Sequence, residues 1–250
     1  MFQIFYPTIY QPLYNILVFL YNNFAFHDFG IAIIIITLIL KVILMPLSKK
    51  QIESQKKMQE LQPKIKEIQN KYKDHKEKQS QELMKFYKEN KTNPFGGCLP
   101  MIVQLIFLIA IYQVFFRISS NNLNVQGEVL YSFVTNPGQI NNMFLGIIDL
   151  AKSSIPLAIL AAAAQYYQTK MLMAKQKKDS KPSDSKTPDF AQMMSKQMLY
   201  LGPLLTLFIG IKFPAGLALY WLVSTLFVIG QQYHMDNKSF NITNLWKKKV

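Results

Sequence analysis

The chain has 250 residues, half of them hydrophobic, and a formal net charge of +14. A soluble domain seldom combines these values, because its surface would have to carry the charge between shorter apolar runs. Here the apolar runs and the lysines occupy separate stretches. This is typical of a multi-spanning membrane protein with basic loops, and it argues against a soluble globular class.

Residues that carry catalytic or metal chemistry are sparse. Cys98 is the single cysteine, so no internal disulfide can form. The three histidines, His27, His75 and His234, lie outside the apolar runs and lack the spacing of metal ligands. We find neither a Ser/His/Asp set at membrane depth nor a glycine-rich phosphate loop. The sequence therefore predicts no enzyme, no metal site and no cofactor.

Residues 1–28 are predicted to be an extracytoplasmic segment. They contain no Lys or Arg, so the basic start of a cleavable signal peptide is missing. Two prolines break the beginning of this segment, and its tyrosines favour the membrane–water interface. We interpret residues 11–24 as a helix lying on the outer surface, with a short extra span as the alternative.

Apolar runs then predict the transmembrane helices. A first span at 29–47 precedes four further spans within residues 95–231. The five predicted spans are 29–47, 97–117, 155–173, 198–212 and 214–231.

Lysines between the spans predict the orientation of the chain. The 48–94 loop has thirteen lysines and seven acids, the 174–197 loop has six lysines, and the 232–250 tail has four. By the positive-inside rule, the N-terminus is outside, whereas both loops and the short basic tail are cytoplasmic. The 174–197 loop is rich in Ser, Pro and Lys and is predicted to be flexible.

The 48–94 loop is predicted to be a cytoplasmic hairpin of two amphipathic helices. Its turn falls near Asp74–His75, and Pro63 should kink the first arm. The apolar stripe either holds the two arms together or docks a partner or the headgroup layer. Acids interleaved with the lysines weaken any signal for nucleic acid, and no sequence-specific nucleic-acid binding is predicted. The stripe consists of Ile52, Met58, Leu61, Ile65, Ile68, Tyr72, Leu83, Phe86 and Tyr87.

Polar residues lie on one face of four of the five spans. In the first span, Thr37 and Lys41 are four residues apart and share a helix face. Such faces normally point into a helix bundle or a water-filled cavity. They predict a hydrophilic groove lined by Thr37, Lys41, Gln104, Tyr112, Gln165, Gln168, Tyr220, Trp221 and Ser224.

Other interpretations of these residues stay open. Lys41 lies about 10 Å from Ser48 at 1.5 Å per residue, so its ammonium group could snorkel toward the cytoplasmic headgroups. Tyr220 and Trp221 could be interfacial belt residues. The glutamines could simply be partners in hydrogen bonds between helices.

Three motifs, in this order and spacing, carry a resemblance to a known family. They are "LQPKIKEIQNKYK", "NPFGGCLP" and "FPAGLALYW". With the basic residue in the first span, the chain closely resembles the YidC-type membrane protein insertases of the YidC/Oxa/Alb superfamily, from about residue 10 to residue 235. The resemblance implies a short bacterial form of the family, without the large periplasmic domain and the extra N-terminal helix of some members.

The resemblance implies a fold and a mechanism. It implies an all-α membrane protein with five transmembrane helices around a hydrophilic groove and a cytoplasmic helical hairpin. Lys41 takes the position of the family's groove cation, usually arginine, while Gln165 and Trp221 match groove-lining positions. The implied function is insertion of newly made hydrophobic segments into the bilayer, without nucleotide hydrolysis.

The same resemblance implies partners and a location. Nascent membrane proteins and the lipid bilayer are the expected partners, and the Sec translocon and the ribosome are further candidates. The short tail argues against strong tail-mediated ribosome binding. The lack of an organellar transit sequence favours a bacterial plasma membrane, although a mature or organelle-encoded form would look the same.

Rival functions are also open. A secondary transporter would be expected to show inverted repeats around a bound solute, and we see no such repeat. A membrane-complex assembly chaperone would need the hairpin and the helix surfaces but not the charge of Lys41. Lipid scrambling along a polar groove is a third alternative.

Overall fold

The computed structural model describes residues 6–92, 99–173 and 190–247. This part of the chain is mostly helical, which confirms the all-α class. It forms two compact units. Unit 1 contains residues 1–43, 106–168 and 202–250, and unit 2 contains residues 44–105 and 169–201.

The helices follow one another with short connections except at two places. A π-helical turn, Tyr6–Tyr10, leads into the first α-helix. The α-helices are α1 (Gln11–Asn23), α2 (Phe29–Ile43), α3 (Met45–Lys71), α4 (Lys76–Glu89), α5 (Leu99–Ser120), α6 (Ile155–Met173), α7 (Phe190–Lys212) and α8 (Ala215–Lys247). Two short strands, β1 (Met143–Phe144) and β2 (Ile148–Asp149), lie between α5 and α6.

The core of unit 1 is built around α2. This helix packs against both α8 and α1. Residues three or four apart on α2, such as Phe29, Ile33 and Ile36, are fully buried, whereas Val42 and Ile43 are exposed. One stripe of α2 therefore faces protein, as expected for a helix with a single packed face.

Glycines allow other elements of unit 1 to approach closely. A Cβ atom at Gly216, at the start of α8, would clash with the ring of Phe115 on α5. A Cβ atom at Gly210 on α7 would lie 2.7 Å from the Cβ atom of Ala158 on α6. These positions admit no larger side chain unless the helices move apart.

The connection between α5 and α6, residues 121–154, is a hydrogen-bonded structure that we call the cap. Its two strands pair antiparallel, with Phe144 opposite Ile148. The Ile140 amide donates to the Leu123 carbonyl over 2.8 Å, which closes the cap's longer loop. The cap therefore satisfies its backbone groups internally as well as with neighbouring helices.

The cap also joins the ends of two helices. The amides of Ala215 and Gly216, in the first turn of α8, donate to the carbonyls of Lys152 and Leu150 over 2.7 and 3.2 Å. These amides have no partner within their own helix, because the first turn lacks preceding carbonyls. The cap thus satisfies the start of α8.

Unit 2 contains the hairpin of α3 and α4. The two helices pack together, and the side chain of Gln79 on α4 donates to the Gln69 carbonyl on α3 over 2.7 Å. Within the described stripe, Ile52 and Ile65 are buried, while α4 has no buried residue. α3 continues through Pro63 as one helix.

The described helices include one that is long and apolar enough to cross a bilayer, Ala215–Met235. A second is counted if Phe29–Ile43 and Met45–Ser54 form one broken span. Gln104–Ile118 and Leu199–Lys212 are shorter apolar helices. The number of five spans therefore stays a prediction.

Some sequence predictions concern residues that the structure does not describe. Residues 93–98, with Cys98, and residues 174–189 of the predicted flexible loop are not described. The remainder of that loop lies in α7, which begins at Phe190. Beyond Gln231, where we predicted a tail, α8 continues to Lys247.

Candidate groove residues and the cap

Thr37 and Lys41 lie on successive turns of α2. Thr37 is fully buried, and its hydroxyl donates to the Ile33 carbonyl one turn earlier over 2.6 Å. Lys41 is half-buried, whereas its neighbours Val42 and Ile43 are 55% and 66% exposed. The polar pair therefore lies toward the packed side of α2, and the side most open to the surroundings is apolar.

Gln165 joins α6 to α8. Its Oε1 atom accepts hydrogen bonds from the indole Nε1 of Trp221 over 3.2 Å and from the hydroxyl of Thr225 over 3.4 Å. Trp221 and Thr225 are four residues apart on α8, so they project from the same face. We call these three residues the Gln165 node.

The same region of α8 contains further buried side chains with polar groups. Tyr220, Ser224 and Thr225 are only 2–4% exposed. α8 also packs against α2, the helix that carries Thr37 and Lys41. Two neighbouring helices of unit 1, α2 and α8, thus carry buried polar groups although both are largely apolar. In a membrane each such group needs a hydrogen-bond partner.

The other predicted groove residues are placed less closely. Tyr112 is half-buried on α5, and its ring meets that of Phe213 edge to face at 5.4 Å. Gln168 is half-buried on α6. Gln104 is half-buried in unit 2. The structure therefore joins Gln165 and Trp221 directly.

The sequence did not predict the contacts that bind α1 to the cap. The Asn15 side chain, which is buried, donates to the Val129 carbonyl over 2.9 Å and accepts from the Tyr131 amide over 2.6 Å. The hydroxyls of Tyr14 and Tyr21 accept from the amides of Gln126 and Asn141. The tyrosines and asparagines of α1 are the sequence signal for these contacts, whereas the sequence by itself predicts an interfacial position from the tyrosines.

An ion pair stabilises the second strand of the cap. Asp149 lies 3.1 Å from the ammonium group of Lys152, and it also accepts hydrogen bonds from Asn142 and from the Ala151 amide. Burial by itself raises the pKa of Asp149, but these donors outweigh it and hold the pKa below its usual value. The carboxylate form is thus favoured in the folded cap.

No cluster of three or more metal-ligating side chains occurs among the described residues. A surface cavity of about 340 Å³ lies beside the cap, and none of its lining residues belongs to the predicted groove. It is lined by Tyr21, Asn22, His27, Thr135, Pro137 and Gln139.

Comparison with known proteins identifies the family. The sequence model described as "60Kd inner membrane protein" matches residues 19–242. The chain belongs to the 60Kd inner membrane protein family. The Gln165 node, Thr37 and Lys41 all lie within the matched range.

Relatives in this family carry the name "Membrane protein insertase YidC". The chain is 34% identical to the one from Fusobacterium nucleatum over 92% of its own length and 98% of that relative. It is 37% identical to that of Clostridium tetani over 85% of its own length and 87% of the relative. The predicted resemblance to YidC-type insertases is confirmed.

Other members of the 60Kd inner membrane protein family are longer. The chain is 32% identical to the relative from Pelobacter propionicus over 92% of its own length, but it spans only 39% of that protein. The matched region therefore contains the part of the family that short and long members share.

Proposed function

We propose that the protein is a membrane protein insertase in which Lys41 provides a positive charge within a hydrated groove open to the cytoplasm. The observation that carries this proposal is the placement of Lys41. It is half-buried, one turn from the fully buried Thr37, on a helix that packs against α8. Family membership supports the coarser function of membrane protein insertion.

A lysine charge in a membrane helix has a free-energy cost that other interactions must offset. Placing a lysine at the middle of a membrane helix costs about 2.5–3.5 kcal/mol on insertion scales. Polar surroundings and water lower that cost. A translocating acidic group would gain from the same charge, because electrostatic attraction is stronger at lower dielectric constant.

The Gln165 node supplies polar surroundings that are themselves held in place. Its acceptor is shared by two donors from one face of α8, so α6 and α8 present a fixed polar surface. In our proposal this surface and Lys41 line the groove, with Thr37, Tyr112, Gln168, Tyr220 and Ser224 around them. Gln104 is assigned to the same groove on the sequence pattern alone.

Partitioning then drives insertion without nucleotide hydrolysis. A wet groove shortens the hydrocarbon path of a polar tail, whose unsatisfied groups would each cost several kcal/mol in lipid. The apolar segment leaves sideways into lipid, gaining about 25 cal/mol per Å² of buried apolar surface. A membrane potential positive outside contributes about 2.3 kcal/mol per acidic charge per 100 mV.

The proposed topology has five transmembrane spans, an outside N-terminus and a cytoplasmic C-terminus. It rests on the lysines of residues 48–94, 174–197 and 232–250. The α3–α4 hairpin would then receive nascent chains on the cytoplasmic side. The Sec translocon and the ribosome are proposed as partners on family resemblance only.

The test is insertion of a single-span substrate with an acidic tail into proteoliposomes. Wild type is compared with Lys41→Arg, Lys41→Ala and Lys41→Glu after folding has been checked for each. We expect Lys41→Arg to insert the substrate, Lys41→Ala to lose most insertion, and Lys41→Glu to lose the most. Loss should be smaller for a substrate whose tail is neutral, because that tail has no charge to attract.

The matched control is Lys212→Glu, which makes the same charge change at an exposed residue at the end of α7. It should insert the substrate as wild type does. Equal insertion by all the Lys41 variants would overturn the groove-charge mechanism and would favour an assembly chaperone that does not use it. Failure of wild type itself would overturn the insertase function.

A further inference from the structure

Large apolar side chains project from the cap at a tight turn. Leu145 and Ile147, in the loop between β1 and β2, are 61% and 80% exposed. Phe26, in the connection between α1 and α2, is 90% exposed. Side chains of this size are normally withdrawn from water, and a group of them on one surface indicates an interaction site.

Two of these residues hold backbone conformations that bulky side chains rarely adopt. The φ angle is +53° at Leu145 and +51° at Phe26. Glycine, asparagine or aspartate would be accommodated there at lower cost. The chain thus has an apolar residue at both positions where local conformation favours a small or polar one, so local propensity does not account for them.

Asp28 connects the turn to the start of α2. One carboxylate oxygen accepts from the Ile31 amide over 3.0 Å, and the other accepts from the Leu145 amide over 2.6 Å. Phe26 is only two residues before Asp28. The turn and Phe26 are therefore held beside the first turn of the same helix.

β1 presses against this helix as well. A Cβ atom at Gly30 would clash with the ring of Phe144, the residue that precedes the turn. The contact leaves little freedom for the turn to move relative to α2. The exposed side chains of the turn are thus presented by a rigid support.

Charge and continuity identify what covers these side chains. Residues 118–148 contain one charged residue, Glu128, and the adjacent Asp149 and Lys152 pair with each other. The surface therefore offers little uncompensated charge to a protein or nucleic-acid partner. α2 continues from this point as an apolar helix with exposed Leu38, Ile39 and Val42, and it forms part of a candidate membrane span. The exposed apolar face of α2 is thus continuous, along the helix, with the point where the turn is attached.

We propose that Leu145, Ile147 and Phe26 form an anchor that inserts into the interfacial layer of the leaflet at the Phe29 end of α2. The occupant of this apolar surface is lipid. The anchor would set the depth of α2, and with it the depth of the Thr37–Lys41 face, in the bilayer. This inference rests on the cap and does not require Lys41 to act in insertion.

Site-specific fluorescence in liposomes tests the anchor. Ile147→Cys is made in the full chain with Cys98→Ser, and the thiol is labelled with a dye whose emission depends on polarity. The vesicles are made of zwitterionic phosphatidylcholine, which has no net charge. We expect the attached dye to emit at a shorter wavelength there than the free dye does in buffer. Quenching by nitroxide lipids should be several-fold stronger than for the same dye at Glu128→Cys, an exposed position elsewhere on the cap.

Two results would overturn the proposal. Equal emission and equal quenching at positions 147 and 128 would place the turn in water. Efficient disulfide formation between copies carrying Ile147→Cys, increasing with protein density in the vesicle, would make the surface an interface between copies of this chain.

A second variant separates anchoring from folding. Leu145→Asn suits the positive φ angle, so its thermal stability in detergent should equal or exceed that of wild type. Combined with Ile147→Ser, it should reduce nitroxide quenching of a dye attached at Phe26→Cys. Unchanged quenching in a variant that is stable in detergent would show that the turn does not hold this surface in lipid.

Discussion

At the scale of single residues, Gln165 shows how one acceptor can organise two helices. Its Oε1 atom serves the indole of Trp221 and the hydroxyl of Thr225. An amide oxygen has two lone pairs, so both donors can be satisfied together. Removing the acceptor would leave these partly buried donors without this partner. The free-energy penalty of an unsatisfied buried donor exceeds the net stabilisation that its hydrogen bond provides.

We expect Gln165→Leu to destabilise the protein by about 1 kcal/mol, within the range observed for hydrogen bonds between membrane helices. Gln165→Glu keeps an acceptor oxygen and should also keep the hydrogen bond with Trp221. Thermal unfolding in detergent, with tryptophan fluorescence as the probe, measures both changes.

Tyr167→Leu is the matched control, because Tyr167 lies two residues away on α6 and is 58% exposed. It should leave the transition unchanged. If Gln165→Leu also unfolded at the wild-type temperature with unaltered tryptophan emission, the node would have no structural role.

At the scale of helices and strands, small residues decide which faces meet. α6 and α7 approach at Ala158 and Gly210, where a Cβ atom added at the glycine would also lie 2.9 Å from the Ala158 Cα atom. Backbone cannot yield as the end of a flexible side chain can. Small residues at such contacts are a general feature of helix pairs in membranes.

Gly210→Ala is therefore expected to destabilise the helix pair by about 1–3 kcal/mol, the usual cost of overpacking. Gly202→Ala, in the same helix, is the control, because no atom lies within 4 Å of its added Cβ. That control should be neutral or stabilising by up to about 1 kcal/mol, since alanine favours helix. Chemical denaturation of both variants in the same detergent gives the comparison, and equal stability of the two would contradict the close contact.

At the same scale, sequence pattern predicted some elements more successfully than their partners. The range predicted for the third span, residues 155–173, coincides with α6, because an apolar run between polar residues is a local signal. The contact of α1 with the cap was not predicted. It depends on Asn15 meeting Val129 and Tyr131, more than a hundred residues later.

At the scale of the whole molecule, the two units differ in how their helices are covered. α1 in unit 1 has seven buried residues, and Asn15 is bound to the cap by its side chain. α4 in unit 2 has none. Helices with few buried contacts open locally at lower free energy than helices in a packed core.

Backbone amides of α4 should therefore exchange hydrogen for deuterium at least about tenfold faster than those of α1, which corresponds to about 1.4 kcal/mol in opening free energy. Mass spectrometry of the full chain in nanodiscs measures both helices in one sample. Asn15→Leu is the control: it should accelerate exchange in α1 and leave α4 unchanged. Equal protection of α1 and α4 in wild type would contradict the difference in burial.

The sequence by itself determined the helical class, the membrane-protein composition and the family. Apolar runs, segregated lysines and the motif "FPAGLALYW" are readable along the chain, because each depends on neighbouring residues only. It also indicated that Thr37 and Lys41 share one face of a helix.

Only the tertiary structure decided which polar groups meet. Gln165 and Trp221 are 56 residues apart, and no local pattern states that the indole donates to this amide. The cap, its turn beside α2 and the burial of α1 likewise arise from contacts between distant segments. Helix formation responds to local sequence, whereas pairing of side chains depends on how whole helices pack, which a single stretch of sequence does not encode.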